Sequence, residues 1–231
     1  MSSCCAALCV SAPRQASPPR AVLRCASLPL ACVADAGSRR LYPAQFHSDK
    51  FTAKGGTFEM CQLWLNLPAK HKMDPPRYQP ILAKDIAVVP ISADGSDDGV
   101  VRVIAGEFRG VKGPAKTFTP VDLWNVEIKT MNKPFEMQLG DGHNCVVFVR
   151  SGKARVGAQG QENDLGPAAT ALMKREGTTL RVMATAPDTK LLILAGEPID
   201  EPIAARGPFV MNTWEEIQKA NLDFQRGVLG R

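Results

Sequence analysis

The chain has 231 residues, of which 45% are hydrophobic and 22% charged, and its formal net charge is +5. This length is enough for one large or two small domains with a packed core. No run of about 18 consecutive apolar residues occurs, so the sequence does not support a membrane-spanning helix.

The first 45 residues differ from the rest of the chain in charge and cysteine content. They contain five arginines, no lysine and one aspartate, so they hold +4 of the net charge. Five of the seven cysteines lie here without metal-ligand spacing, which favours a reducing compartment over a disulfide framework. The Ala-, Ser- and Arg-rich composition is typical of an organellar transit peptide, and a disordered tail or an exon translated in error is the alternative. The remaining residues carry only +1, which argues against direct nucleic-acid binding.

A series of short strands is predicted after residue 45. Cys61–Leu67 alternates apolar and polar residues, as a half-buried strand does, and Pro68 ends it. A proline-rich connection with an acidic turn at 94–99 follows. Further strands are predicted at Val100–Ala105, Val121–Thr130, Cys145–Val149, Lys153–Gly157, Ala168–Met173, Thr179–Ala184 and Lys190–Ala195, with a hairpin turn at Ser151-Gly152. Many short strands at regular spacing predict an all-β sandwich or barrel.

One amphipathic helix is predicted near the end of the chain, at residues 214–226. Thr213 and Glu216 form a capping-box pattern, in which each side chain satisfies a free backbone N–H group of the other. Apolar residues from Trp214 to Phe224 recur at helical spacing, and Gly227 is a typical stop.

The strand spacing is typical of a cupin barrel, which often holds a metal ion inside. The first cupin motif has an HxH pair, then a glutamate, then a glycine seven residues after the glutamate. Gly152 fits that glycine, but Cys145 stands at the glutamate position and residues 138–141 contain no histidine. No histidine follows His143, so the second motif is absent as well. The pattern therefore predicts a structural barrel without a metal site.

The three histidines and Cys145 are the other candidates for chemistry. A facial iron site needs at least two imidazoles and a carboxylate, but His47 and His71 lack ligand spacing, and His71 is predicted to lie in a solvated turn. Cys145 lies in an apolar strand, which favours an inert core thiol, although His143 shares its face. No nucleophile elbow, phosphate loop or dinucleotide fingerprint occurs. The sequence assigns no catalytic, cofactor-binding or metal-binding residue.

Four stretches of the chain resemble the pirin family: QLWLNLPAKHKMDPPRYQ at 62–79, VIAGE at 103–107, GPAKTFTPV at 113–121, and LAGEPIDEPI with GPFVMNT within 194–213. The resemblance implies an all-β bicupin (two jelly-roll, or double-stranded β-helix, barrels) with a C-terminal helix. The expected parts are a tail or transit segment at 1–45, a remnant of the N-terminal cupin at 46–79, a linker and crossing strand at 80–119, a complete C-terminal cupin at 120–200, and a crossing segment with the helix at 201–231. A partial N-terminal barrel would leave Leu63 and Leu65 without strand partners.

Pirins, by this resemblance, bind iron in the N-terminal cupin through three histidines and a glutamate. Pro43, Ala44 and Gln45 stand about where the HxE part of that site is expected, and no HxH precedes them. His47 resembles a neighbouring family histidine that is not a ligand. No cofactor is therefore predicted for this chain, and whether it is an enzyme is left open.

Two functions follow from the resemblance. The first is a non-catalytic pirin-like protein that acts through contacts with a protein partner, as a transcription co-regulator does. The alternative is an iron-dependent quercetin 2,3-dioxygenase whose metal-binding part is missing from this sequence, with a flavonol as substrate. Neither direct nucleic-acid binding nor membrane binding is expected. The resemblance implies the cytoplasm or nucleus, whereas a transit peptide would imply a plastid or mitochondrion.

Overall fold

The computed structural model describes residues 7–9, 30–31, 53–55, 61–75, 77 and 79–228. It divides into two compact units, residues 84–198 and residues 1–83 with 199–231. The strands are β1 Ala7–Cys9, β2 Leu30–Ala31, β3 Gln62–Trp64, β4 Ile81–Leu82, β5 Ala87–Pro90, β6 Gly99–Ala105, β7 Glu107–Phe108, β8 Val111–Lys112, β9 Val121–Ile128, β10 Pro134–Gln138, β11 Asn144–Ser151, β12 Ala154–Gly157, β13 Asn163–Leu165, β14 Thr170–Leu172, β15 Thr179–Ala184, β16 Thr189–Gly196, β17 Ala204–Arg206 and β18 Phe209–Met211, followed by helix α1 Trp214–Gln225. Two 3₁₀ turns lie at Ala69–His71 and Ala83–Asp85. Among these residues, no helix has the length and apolar character needed to cross a membrane.

Two antiparallel sheets form the unit of residues 84–198. The six-stranded sheet has the order β14-β11-β16-β9-β6-β5, and the four-stranded sheet has the order β10-β15-β12-β13. Strands that follow one another in the chain, such as β10 and β11, lie in different sheets, so the chain passes back and forth between two layers. This is jelly-roll architecture, and it confirms the all-β class expected from the strand spacing.

An apolar core fills the space between these two sheets. On β9, Trp124, Val126 and Ile128 face it and are at most 2% exposed, as the period-two pattern predicted. The ring of Trp124 meets that of Phe108 edge-on, with centroids 5.2 Å apart. The same core includes Ile91, Val101, Val103, Phe135, Met137, Cys145, Val147, Val149, Ala154, Val156, Leu180, Val182, Ala184, Leu191, Ile193 and Ala195.

The outer faces of the two sheets differ in polarity. On the four-stranded sheet, Arg155 on β12 donates to Asp164 on β13, with 2.8 Å between Nε and Oδ1. On the six-stranded sheet, four outer-face residues are apolar and buried, since Leu123, Phe148, Leu192 and Leu194 are 5–8% exposed, and Arg102 pairs with Glu127 elsewhere on the same face. Burial on both faces explains why 190–195 has a nearly continuous apolar sequence rather than an alternating one.

The predicted hairpin at Ser151-Gly152 is wrong. β11 pairs with β14 and β16, whereas β12 pairs with β13 and β15, so the dipeptide carries the chain from one sheet to the other. Gly152 has φ +73°, and a Cβ atom there would overlap Thr189. The need for a tight glycine turn is visible in the sequence, but the partners of the flanking strands depend on how the two layers pack.

The compact unit begins at Lys84, ahead of the boundary at residue 120 that the sequence suggested. Within the segment 80–119, expected as a linker and crossing strand, β5 and β6 belong to the six-stranded sheet. β6 pairs with β9 from Gly99 opposite Ile128 onward. The sequence predicted the strand at Val100–Ala105 but not β5, and only the pairing places both strands in this sheet.

The unit formed by residues 1–83 and 199–231 contains short strand pairs and the helix. β3 pairs with β1, with Leu63 opposite Leu8, so the expectation that Leu63 has no strand partner is wrong. Most of the predicted tail at 1–45 and of the segment 46–60 lies outside the described residues. Helix α1 has the predicted capping box between Thr213 and Glu216, and it packs through Ile217 on the β17–β18 hairpin.

A buried lysine connects the two chain segments of this unit. Lys72 is 3% exposed, and its Nζ donates to Asn66 Oδ1 at 2.6 Å and to the Val210 carbonyl at 3.1 Å. Burial lowers the pKa of Lys72, and the nearby charge of Glu201 opposes this shift. Glu201 also accepts a hydrogen bond from the Ala69 backbone N–H at 2.7 Å. Two of the stretches that carry the family resemblance therefore meet through specific polar contacts.

Candidate functional site

Polar side chains meet at one end of the core-facing side of the six-stranded sheet. Asp122 on β9 lies in register with Ala195 on β16, which lies in register with Cys145 on β11. His143 precedes Cys145 by two residues and lies just before β11 begins. We call Asp122, His143 and Cys145 the end cluster. Ala195, whose side chain is small, lies between Asp122 and Cys145 in the sheet.

Two glycines allow the backbone to approach the end cluster closely. Gly106 has φ +74°, and a Cβ atom there would overlap the Asp122 carboxylate and lie 2.7 Å from the Val121 carbonyl oxygen. A Cβ atom on Gly140 would overlap the imidazole ring of His143. Both positions therefore require glycine if the acid and the imidazole are to keep their places.

Asp122 is a partly buried carboxyl group with one backbone donor. Its Oδ1 accepts a hydrogen bond from the Glu107 N–H at 3.2 Å. Burial raises the pKa of Asp122, while this hydrogen bond and the His143 imidazole oppose the shift. The strand pattern could have identified this residue, since Asp122 is the charged member of the series that continues as Trp124, Val126 and Ile128.

Cys145 is an inert thiol in this arrangement. It is 2% exposed, and burial, with a smaller contribution from the Asp122 charge, raises its pKa to about 12. A thiol with that pKa is protonated at neutral pH and is a poor nucleophile and metal ligand. The geometry supports the sequence-based interpretation of Cys145 as a core residue. His143 is close to it in the chain, but its Nδ1 atom is buried without a hydrogen-bond partner.

The other sequence candidates have local roles or fall outside the described residues. His71 lies in the 3₁₀ turn Ala69–His71, and its Nδ1 is 2.8 Å from Asp74 Oδ2. This local pairing agrees with the predicted turn. His47 and residues 43–45 lie outside the described part of the chain.

The described residues do not fit the iron site of a cupin. They contain no group of three or more His, Cys, Asp or Glu side chains arranged to hold a metal ion. Cys145, at the position of the motif glutamate, belongs to the apolar core cluster. The end cluster offers one imidazole, one carboxyl group and a protonated thiol, which is not the set of several imidazoles that iron oxygenases use.

A second buried acid, Asp98, forms a structural node that the sequence analysis missed. It is 6% exposed and accepts hydrogen bonds from Ser92, Ser96, Lys133 and Thr130, the last at 2.7 Å. These donors, Lys133 first, lower the pKa of Asp98. The acidic turn at 94–99 is thus tied to the loop between β9 and β10.

The two-layered antiparallel unit with an apolar interior is a cupin. Residues 123–230 match the pirin C-terminal cupin domain. This match agrees with the resemblance to the pirin family that the sequence stretches indicated.

The similar proteins carry two kinds of name. A protein of Pseudomonas aeruginosa, provisionally named as a quercetin 2,3-dioxygenase, is 43% identical over 79% of this chain and 61% of its own length. Human pirin is 34% identical over 73% of this chain and 56% of its own length. The crystal structure of quercetin 2,3-dioxygenase from Acinetobacter baumannii superposes with a TM-score of 0.72 at 42% identity, covering 80% of this chain and 62% of that one. The chain thus spans about three fifths of the length of these relatives.

Proposed function

We propose that this chain is a pirin-like cupin protein that works through contacts with other proteins, in the manner of a transcription co-regulator, and not through iron chemistry in its C-terminal cupin. The observation that carries the proposal is the filled interior of that cupin. The position of the motif glutamate holds Cys145, and the neighbouring core side chains, such as Trp124 and Ile193, are apolar. His143 is the only histidine in residues 84–198.

The surface of helix α1 supports the proposed role in protein contacts. On helix α1, Trp214 is 58% exposed and Phe224 is 47% exposed, and Val228, just after the helix, is 45% exposed. Exposed aromatic residues near buried apolar ones are common at protein–protein interfaces. A transcription regulator is the expected partner, by analogy with the family.

Iron loading tests the catalytic part of this proposal. The purified chain is incubated anaerobically with ferrous iron, desalted and analysed for bound iron and quercetin consumption. We expect far less than one iron per chain and no turnover above free iron. Retention of about one iron per chain, together with quercetin cleavage, would overturn the proposal.

Proximity labelling in cells tests the protein-contact part. Wild type is compared with Trp214→Ala, and Val88→Thr on β5, 49% exposed, serves as the control at a distant surface position. We expect transcription regulators among the labelled proteins, with their labelling reduced in Trp214→Ala only. Equal labelling by all three proteins would contradict a role for this surface.

The alternative is an iron-dependent quercetin 2,3-dioxygenase, and the names of two relatives at 42–43% identity favour it. In that case the ligands would have to come from residues other than those of the C-terminal cupin. Because those ligands would lie outside this sequence, the gene decides between the two functions: an in-frame upstream segment with HxH and HxE motifs would favour the dioxygenase, and its absence would favour the protein-contact function.

For localisation, we propose the cytoplasm or nucleus. Fusion of residues 1–45 to a fluorescent protein tests this, because import of the fusion into a plastid or mitochondrion would instead identify a transit peptide.

A further inference from the structure

We draw no further inference here: the strongest candidate, the end cluster of Asp122, His143 and Cys145 at one end of the six-stranded sheet, rests on the raised pKa of Asp122 alone for any coupling between its acid and its imidazole.

Discussion

Asp98 and Cys145 are both almost fully buried, yet their surroundings have opposite effects. Asp98 is surrounded by donors from Lys133 and three hydroxyl groups, which lower its pKa and keep it ionised. Cys145 has no such donors, and burial raises its pKa to about 12, which keeps it protonated. At the residue scale, the chemical state of a side chain thus follows from the donors that the fold places around it.

The first prediction concerns Asp98 and pH. A carboxyl group with a lowered folded-state pKa stabilises the fold above its unfolded pKa of about 4 and loses that contribution as the pH falls below it. Asp98→Asn should therefore lower the melting temperature at pH 7, and the difference from wild type should shrink between pH 4 and pH 2. Asp97→Asn is the control, because the Asp97 side chain is 79% exposed and should have little effect. A constant difference across this pH range would show that the charge of Asp98 is unimportant.

At the element scale, a few residues determine how neighbouring segments join. Gly106 lets the chain turn directly from β6 into β7 beside Asp122, and Lys72 links the segment around Asn66 to β18. Both residues lie in stretches that resemble the pirin family, Gly106 in VIAGE and Lys72 in QLWLNLPAKHKMDPPRYQ. The resemblance draws attention to these stretches, but only the contacts in the folded protein show what Gly106 and Lys72 do.

The second prediction compares two glycines with similar backbone angles. Gly106→Ala should destabilise the protein by more than about 2 kcal/mol, because its Cβ would overlap Asp122 in addition to the strain of a positive φ. Gly110, at φ +79°, has open space around its Cα, so Gly110→Ala should cost only about 1 kcal/mol for the strain. Chemical denaturation of both variants measures the difference. Equal losses of unfolding free energy would mean that the end of β9 shifts easily to make room for the Cβ atom at position 106.

The third prediction concerns the buried lysine. Lys72→Met should destabilise the protein by about 2–3 kcal/mol, because it removes the donor to Asn66 and Val210 and leaves Glu201 without its positive partner. Lys219→Met, on the exposed side of helix α1, should change stability by less than about 0.5 kcal/mol. Urea denaturation measures both variants. If the two substitutions cost the same, Lys72 does not connect the segments as described.

At the scale of the whole molecule, the unit of residues 84–198 contains a complete core of its own. Every residue of the large core cluster, from Ile91 to Ala195, lies within it. Both of its sheets are also built entirely from strands of this segment. A unit of this kind is expected to behave as a separate cooperative domain.

The fourth prediction follows from that independence. Limited proteolysis should leave a resistant fragment with ends near Lys84 and Pro198, and the near-ultraviolet circular dichroism of Trp124 should persist in it. The buried edge-on contact of Trp124 with Phe108 is the physical reason for this signal. Rapid digestion through β9 or β16, at the same rate as the rest of the chain, would show that the unit depends on other segments.

Sequence reasoning succeeded where the signal is local. The alternation along β9 and the capping box of helix α1 depend on residues within one or two turns of each other, and both are present as predicted. It failed where partners are distant in the chain. The residues Ser151-Gly152 indicated a turn, but which strands lie on either side of it depends on the packing of two sheets.

The candidate site shows the same division. Cys145 was identified as a core thiol from its apolar neighbours, and the structure supports that interpretation. Asp122 was missed, because its proximity to His143 and Gly106 comes from strand register and from a chain reversal, neither of which has a short-range signal.

By itself, the sequence revealed a resemblance to the pirin family through four motifs, and it determined the all-β class, most strands and the helix, because periodicity, turns and caps act over a few residues. Only the tertiary structure decided which strands share a sheet, that β5 and β6 belong to the C-terminal cupin, which acids are buried beside which donors, and that β14 is an open edge. These features depend on contacts between residues far apart in the chain, whose free energy arises only when the two layers close on their common core.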